Sequence, residues 1–121
     1  MGIELDRLAT ELERYGAAYA ITVSPQAEAH VVEARPVLDG QCLAVVGLGS
    51  RTRANLAARP TVTLVWPPAQ PGDYSLIVDG TVTVSGDRMT VAPTRAVLHR
   101  SVPRPGGPAT EGGCASDCVE L

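Results

Sequence analysis

Lysine and phenylalanine are both absent from this 121-residue chain, so all ten of its basic residues are arginine. Without lysine there is no Schiff-base nucleophile and hence no covalent pyridoxal phosphate. Nor is there a Walker-type loop, whose lysine reaches the β and γ phosphates. Any phosphate held here is held by arginine, hydroxyls or backbone amides. Arginine-for-lysine replacement across a high-GC genome accounts for the composition equally well, and the chemical consequence is the same. Aromatic residues are scarce at 3%, so valine and leucine must fill the core. No apolar run approaches membrane-spanning length, and the charged, amphipathic start, Met1 to Arg14, is unlike a signal peptide. A cytoplasmic protein without membrane contact is expected. Three cysteines, an odd number, argue against a disulfide framework.

The net charge of −3 argues against general nucleic-acid binding, which needs a dominant basic surface. Positive charge is concentrated in two stretches, +3 over residues 35–72 and +4 over residues 88–104. That pattern suits a local anion site better than a polyanion track.

Leu5, Leu8, Leu12 and Tyr15 recur at helical spacing, which predicts an amphipathic N-terminal helix ended by Gly16. Strands are predicted over Tyr19–Val23, His30–Leu38, Cys42–Val46 and Thr61–Trp66. The Asp39-Gly40 pair reads as a type I′ hairpin turn between the second and third of these. A short helix, Arg51–Arg59, is inserted after an N-cap at Ser50 and is stopped by Pro60. Tyr74–Ser85 keeps its alternation through Gly80, so one continuous strand with a bend or bulge at the glycine is predicted. A sixth strand, Met89–His99, is interrupted at Pro93, which suits an edge or a bulge. The expected architecture is mainly β: a six-stranded antiparallel split barrel over residues 1–100, with an N-terminal helix and one short inserted helix. Residues 101–121, rich in proline and glycine, read as a tail carrying a C-x-x-x-C pair, Cys114 and Cys118.

Chemistry concentrates in Cys42–Pro60, where a strand runs through Gly47 and Gly49 into a helix that begins Ser50-Arg51-Thr52-Arg53. Glycines, free amides at a helix start and adjacent arginines together form an anion site, with phosphate the natural occupant. Gly47 and Gly49 also read as plain turn residues beside a solvated arginine face. A dinucleotide fingerprint is excluded, because Thr52 stands at its third glycine and no βαβ context follows.

Several features in order resemble the pyridoxamine 5′-phosphate oxidase-like family of flavin-binding split barrels. They are the leading helix, the strand-DG-strand unit, Ser50-Arg51, Asn55-Leu56, Arg59-Pro60 running into Val62–Val65, and an alternating strand broken by Gly80. The resemblance spans residues 3–99. It implies that Ser50 and Arg51 hold the phosphate of FMN, or of a deazaflavin in the same cleft, that the phosphate-bearing cofactor is seated at Gly47 to Arg53, and that Val45 and Val46 lie along the ring. It also implies a homodimer with the cofactor between subunits. Thr52 falls where the family carries lysine, which leaves three outcomes: Arg53 or Arg35 supplies the missing charge, the pocket binds FMN weakly, or it prefers another cofactor. The implied function is that of a flavin-dependent oxidoreductase. Two alternatives are a non-catalytic cofactor-binding or storage dimer, and a metal or thiol protein centred on Cys114 and Cys118 with His99 in reach. No catalytic acid–base pair is evident, His30 and His99 stand without partners at catalytic spacing, and Trp66 reads as core packing rather than a cap over a ring system.

Overall fold

The computed structural model describes residues 4–100 and 117–121. The N-terminal helix α1 spans Leu5–Leu12; Leu8 is fully buried, and Leu5, Leu12 and Tyr15 pack against the core. It ends sooner than Gly16. After Leu12 the chain tightens into bonds from Arg14 N to the Glu11 carbonyl and from Tyr15 N to the Leu12 carbonyl. Those three-residue bonds satisfy the last carbonyls without a left-handed glycine.

Eight strands follow among the described residues: β1 Ala18–Val23, β2 Ala29–Ala34, β3 Val37–Asp39, β4 Cys42–Val45, β5 Thr61–Trp66, β6 Ser75–Ser85, β7 Arg88–Arg100 and β8 Asp117–Glu120. Helix α2, Ser50–Ala58, is inserted between β4 and β5. All pairings are antiparallel, in the order β2-β1-β5-β6-β7-β4-β3, with β8 beside β7. The two outermost strands, β2 and β3, are joined by only Arg35 and Pro36. Two residues span about 10 Å at most, so the ends of the sheet meet and the sheet curls into a barrel. Among the described residues no ladder joins β2 to β3, which leaves the barrel split at that seam.

The expected barrel is present, with two more strands than the six predicted. The first difference is Pro36, which divides the predicted His30–Leu38 strand into β2 and β3, since proline withholds a ladder donor. The second is β8, which lies within the expected tail. Its Val119 stands opposite Leu98, and the following Leu121 packs against the core. That two-residue alternation was overshadowed by the glycine and proline before it. The hairpin turn is also displaced by one residue. Asp39 pairs with Cys42, the loop is Gly40-Gln41, and only Gly40 (φ 62°) is left-handed, the pattern of type II′ rather than I′.

Strand β6 runs unbroken past Gly80, where its register with β7 shifts, as the alternation predicted. Pro93, opposite Gly80, does not end β7, but the register skips Thr94 beside it, so the interruption expected there is a bulge whose extra residue lies in β7. The far edge of β7 is covered by β4 at Met89–Val91 and by β8 at Val97–Arg100, so proline stands where no neighbour needs its N–H. The interior is filled by Leu8, Leu43, Leu56, Leu64, Trp66, Leu76, Val78, Met89 and Val91. Trp66 is 2% exposed, which confirms core packing for the one tryptophan. Each such side chain contributes about 1.5–3 kcal/mol on burial. Cys42 is half-buried rather than fully buried.

Candidate functional site

Strand β4 ends at Val45, and the chain then turns through Val46, Gly47 and Leu48 to reach α2. Gly47 is left-handed at φ 78°, and Leu48 N–H donates to the Asp87 carbonyl at 2.9 Å, which fixes the turn against the β6–β7 hairpin. Gly49, not Ser50, is the N-cap of α2, and no side chain caps the helix. The first helical bond runs from Arg53 N to the Gly49 carbonyl at 3.0 Å. The amides of Ser50, Arg51 and Thr52 therefore lack an intrahelical partner, and the Ser50 hydroxyl is free of capping duty.

The two faces of α2 differ sharply. Thr52, Asn55 and Leu56 are buried, whereas Ser50, Arg51 and Arg53 are exposed. Asn55 Nδ2 donates to Thr22 Oγ1 of β1 at 3.1 Å, a buried bond that sets the rotation of the helix. Arg59 Nε donates to the Ser24 carbonyl at 3.1 Å and ties the C-terminal end of α2 to the β1–β2 turn. That turn is itself ordered, because Ser24 Oγ accepts from the amides of Gln26 (3.2 Å) and Glu28 (3.1 Å). Ala27 within it is left-handed at φ 64°, a conformation that costs a non-glycine residue energy and persists where surrounding bonds impose it.

Two recesses flank the start of α2. The larger, of about 590 Å³, lies between the helix and the β1–β2 turn; Ser50 and Arg51 line it together with Ser24, Gln26, Glu28 and His30. The smaller, of about 130 Å³, lies on the barrel side and is lined by Val45, Val46, Gly47, Gly49 and Thr52, with Val32 to Ala34 of β2 opposite. The sequence-predicted residues are thus divided by the helix rather than gathered in one cavity. Thr52, at 1% exposure, faces the barrel and presents nothing to the side where Arg51 stands. Arg51 and Arg53 form no ion pair among the described residues. Arg35 lies on the β2–β3 link, 3.7 Å from Glu33, and lines neither recess. Arg53 likewise lines neither.

Sequence reasoning missed His30, Glu28 and the Ser24 turn as part of this neighbourhood. One signal was available: His30, Val32 and Ala34 share a strand face, and Ala34 is buried, so the phase of β2 turns His30 inward. Of the cysteine pair, Cys114 lies outside the described residues. Cys118 is exposed on β8, with His99 Nδ1 3.1 Å from its sulfur. No group of three or more metal-ligating side chains occurs among the described residues. No helix among them is long and apolar enough to cross a membrane.

No family model matches the sequence. Uncharacterized proteins of Mycobacterium bovis and Mycobacterium tuberculosis are each 45% identical to it over 133 aligned positions, covering 97% of this chain and 93% of theirs. Among solved structures, a Listeria innocua protein provisionally assigned as a pyridoxamine 5′-phosphate oxidase is 14% identical with a TM-score of 0.65, covering 77% of this chain and 95% of that one. An F420 reductase is 22% identical with a TM-score of 0.57, covering 79% and 96%. The heme storage protein HutZ of Vibrio cholerae is 20% identical with a TM-score of 0.53, covering 72% and 66%. The chain belongs to one family with the uncharacterized mycobacterial proteins, and its fold is the split barrel of the pyridoxamine 5′-phosphate oxidase-like proteins.

Proposed function

We propose that this protein binds FMN or a deazaflavin relative, with the cofactor phosphate at the start of α2, and acts as a flavin-dependent oxidoreductase. The observation that carries the reading is the uncapped helix start, with Ser50 and the unpaired Arg51 opening onto a recess of about 590 Å³. Amides there point at the anion and the helix dipole favours negative charge. Arg51 adds a charge-assisted bond, and Arg53, two residues on, adds positive potential without contact. These arginines take the part of the family lysine, because Thr52 is turned into the barrel.

The residues present suit a phosphate-bearing ligand in chemistry and in space. The smaller recess, of about 130 Å³, is too small for a tricyclic ring, so the ring lies across the exposed turn of Val46 and Gly47 at the split. There Val46 (68% exposed) and Val37 (64%) stand exposed near the edges of β2 and β3, which no ladder joins among the described residues. A second copy of the chain covers that seam and completes the cleft, which also protects both strand edges. Bound flavin supplies hydride or electron transfer through its ring; the protein positions it, holds the phosphate and excludes water. A cytoplasmic homodimer is part of the same proposal, and sedimentation together with cell fractionation tests it.

The decisive experiment is the visible absorption spectrum of gently purified protein with and without added FMN, followed by anaerobic addition of a nicotinamide nucleotide. Bound flavin that is reduced supports the oxidoreductase. A second reading, a non-catalytic storage module, is favoured by the likeness to a heme storage protein. Saturable binding without reduction by any nicotinamide nucleotide would support that reading instead.

A further inference from the structure

The cysteine motif near the C-terminus has no part in the proposed cofactor site, yet the fold gives Cys118 a chemical partner. Cys118 of β8 stands directly opposite His99 of β7, and His99 Nδ1 lies 3.1 Å from Cys118 Sγ. This juxtaposition is built into the register. Val119 stands opposite Leu98, and Leu98 and Leu121 both pack against the core. The alternate residues, Cys118 and Glu120, therefore face outward. Leu121 N–H donates to the Ala96 carbonyl at 2.9 Å, and Glu120 Oε1 lies 3.8 Å from Arg95 Nη2, itself tied to Asp79 of β6. A one-residue slip would expose Leu121 and bury Glu120, so the thiol is held against the imidazole. Cys118 is exposed, whereas Cys42 is half-buried on β4.

We propose that Cys118 is a thiol–disulfide exchange site, with His99 as its general base and a small-molecule disulfide as its reaction partner. With its hydrogen on Nε2, His99 accepts the thiol proton at Nδ1. The Cys118 thiolate attacks one sulfur of the disulfide, a new S–S bond forms and the old one breaks. The departing thiolate carries away the electron pair of the broken bond and takes the proton from His99. Cys118 is oxidised to the mixed disulfide and the partner's leaving half is reduced to a thiol. Nucleophile and base within hydrogen-bond reach are the arrangement this chemistry requires. Cys118 is exposed, so the site suits a small, accessible disulfide bond.

The test uses the full chain with Cys42→Ser and Cys114→Ser, so that Cys118 alone reports. Oxidised glutathione is the probe, and mass spectrometry reads the single adduct over time. At neutral pH the folded chain should react roughly tenfold or more faster than its His99→Gln variant, the lower range of general-base assistance. Its rate should also persist to lower pH than that of the variant. Circular dichroism establishes that the variant is folded. A comparison that needs no substitution at His99 is the rate of the folded chain against the same chain in urea, where folding should accelerate the reaction. Equal rates in either comparison overturn the proposal. So does a zinc ion that must be chelated before any adduct forms, because the pair is then part of a metal site.

Discussion

Gly80→Ala places a methyl group where the barrel has no room for one. Gly80 is buried on β6 opposite Pro93, where the register skips Thr94 of β7, and a Cβ there would collide with Val91 Cγ1 and come within 2.7 Å of the Ala92 carbonyl oxygen. Val91 is fully buried and the Ala92 oxygen belongs to the backbone, so neither yields unless β7 moves against β6. Gly80 has no left-handed φ, and the cost is therefore one of space alone. Overpacking of this kind costs about 1–3 kcal/mol, and the backbone contact puts the expectation at about 2–3. Val91 also pairs with Leu43 of β4, the strand that runs into Gly47, so FMN affinity should fall together with stability. Urea unfolding measures the loss, with two controls. Gly86→Ala, left-handed at φ 60° in open space, should cost about 1–2 kcal/mol from backbone conformation. Gly16→Ala meets nothing within 4 Å and has no left-handed φ, and should be neutral. Gly80→Ala within about 0.5 kcal/mol of the parent, the range of ordinary surface substitutions, would refute the bulge as a point of close packing.

Arg51→Ala is expected to weaken FMN binding by about 1.5–3 kcal/mol, the value of a charge-assisted hydrogen bond, as read by fluorescence titration; unchanged affinity would move the phosphate elsewhere. Asn55→Ala leaves the buried Thr22 hydroxyl without its partner and should cost about 1–3 kcal/mol in urea unfolding. Tyr15, half-buried with its hydroxyl donating to the Tyr74 carbonyl at 3.0 Å, has its pKa raised above 10.0, chiefly by burial and then by Glu11. Above that pH the folded state holds more protons than the unfolded one, so this contribution is complete below pH 10.0 and is lost as pH rises through the raised value. Thermal unfolding at alkaline pH should show that loss, and Tyr15→Phe should lessen it. Cys114→Ser with Cys118→Ser should leave FMN binding unchanged.

Legibility from sequence followed the strength of local pattern. The continuity of β6 through Gly80 was readable because the alternation of Leu76, Val78, Val82 and Val84 kept its phase across it, while the extra residue, Thr94, lies in β7 beside Pro93. The split barrel followed from strand number and turn chemistry, whereas β8 was hidden because its inward Val119 and the Leu121 that follows the strand are too few to form a pattern. At the site, the glycines and the helix start were legible as local sequence. The division of that site by α2 was not, because it depends on Asn55 reaching Thr22 across 33 residues. His30 joined Arg51 for the same reason: a hairpin turn held by Ser24 carries β2 to the helix, and no local spacing records that distance.

The central claim, a phosphate-bearing flavin seated at the start of α2, is tested most directly by titrating FMN into the purified protein and following flavin fluorescence, with riboflavin as the comparison. Saturable FMN binding much tighter than millimolar, and much tighter than riboflavin, is the predicted result, because the helix amides and Arg51 act on the phosphate alone. Binding no tighter than millimolar, or equal binding of FMN and riboflavin, would contradict it.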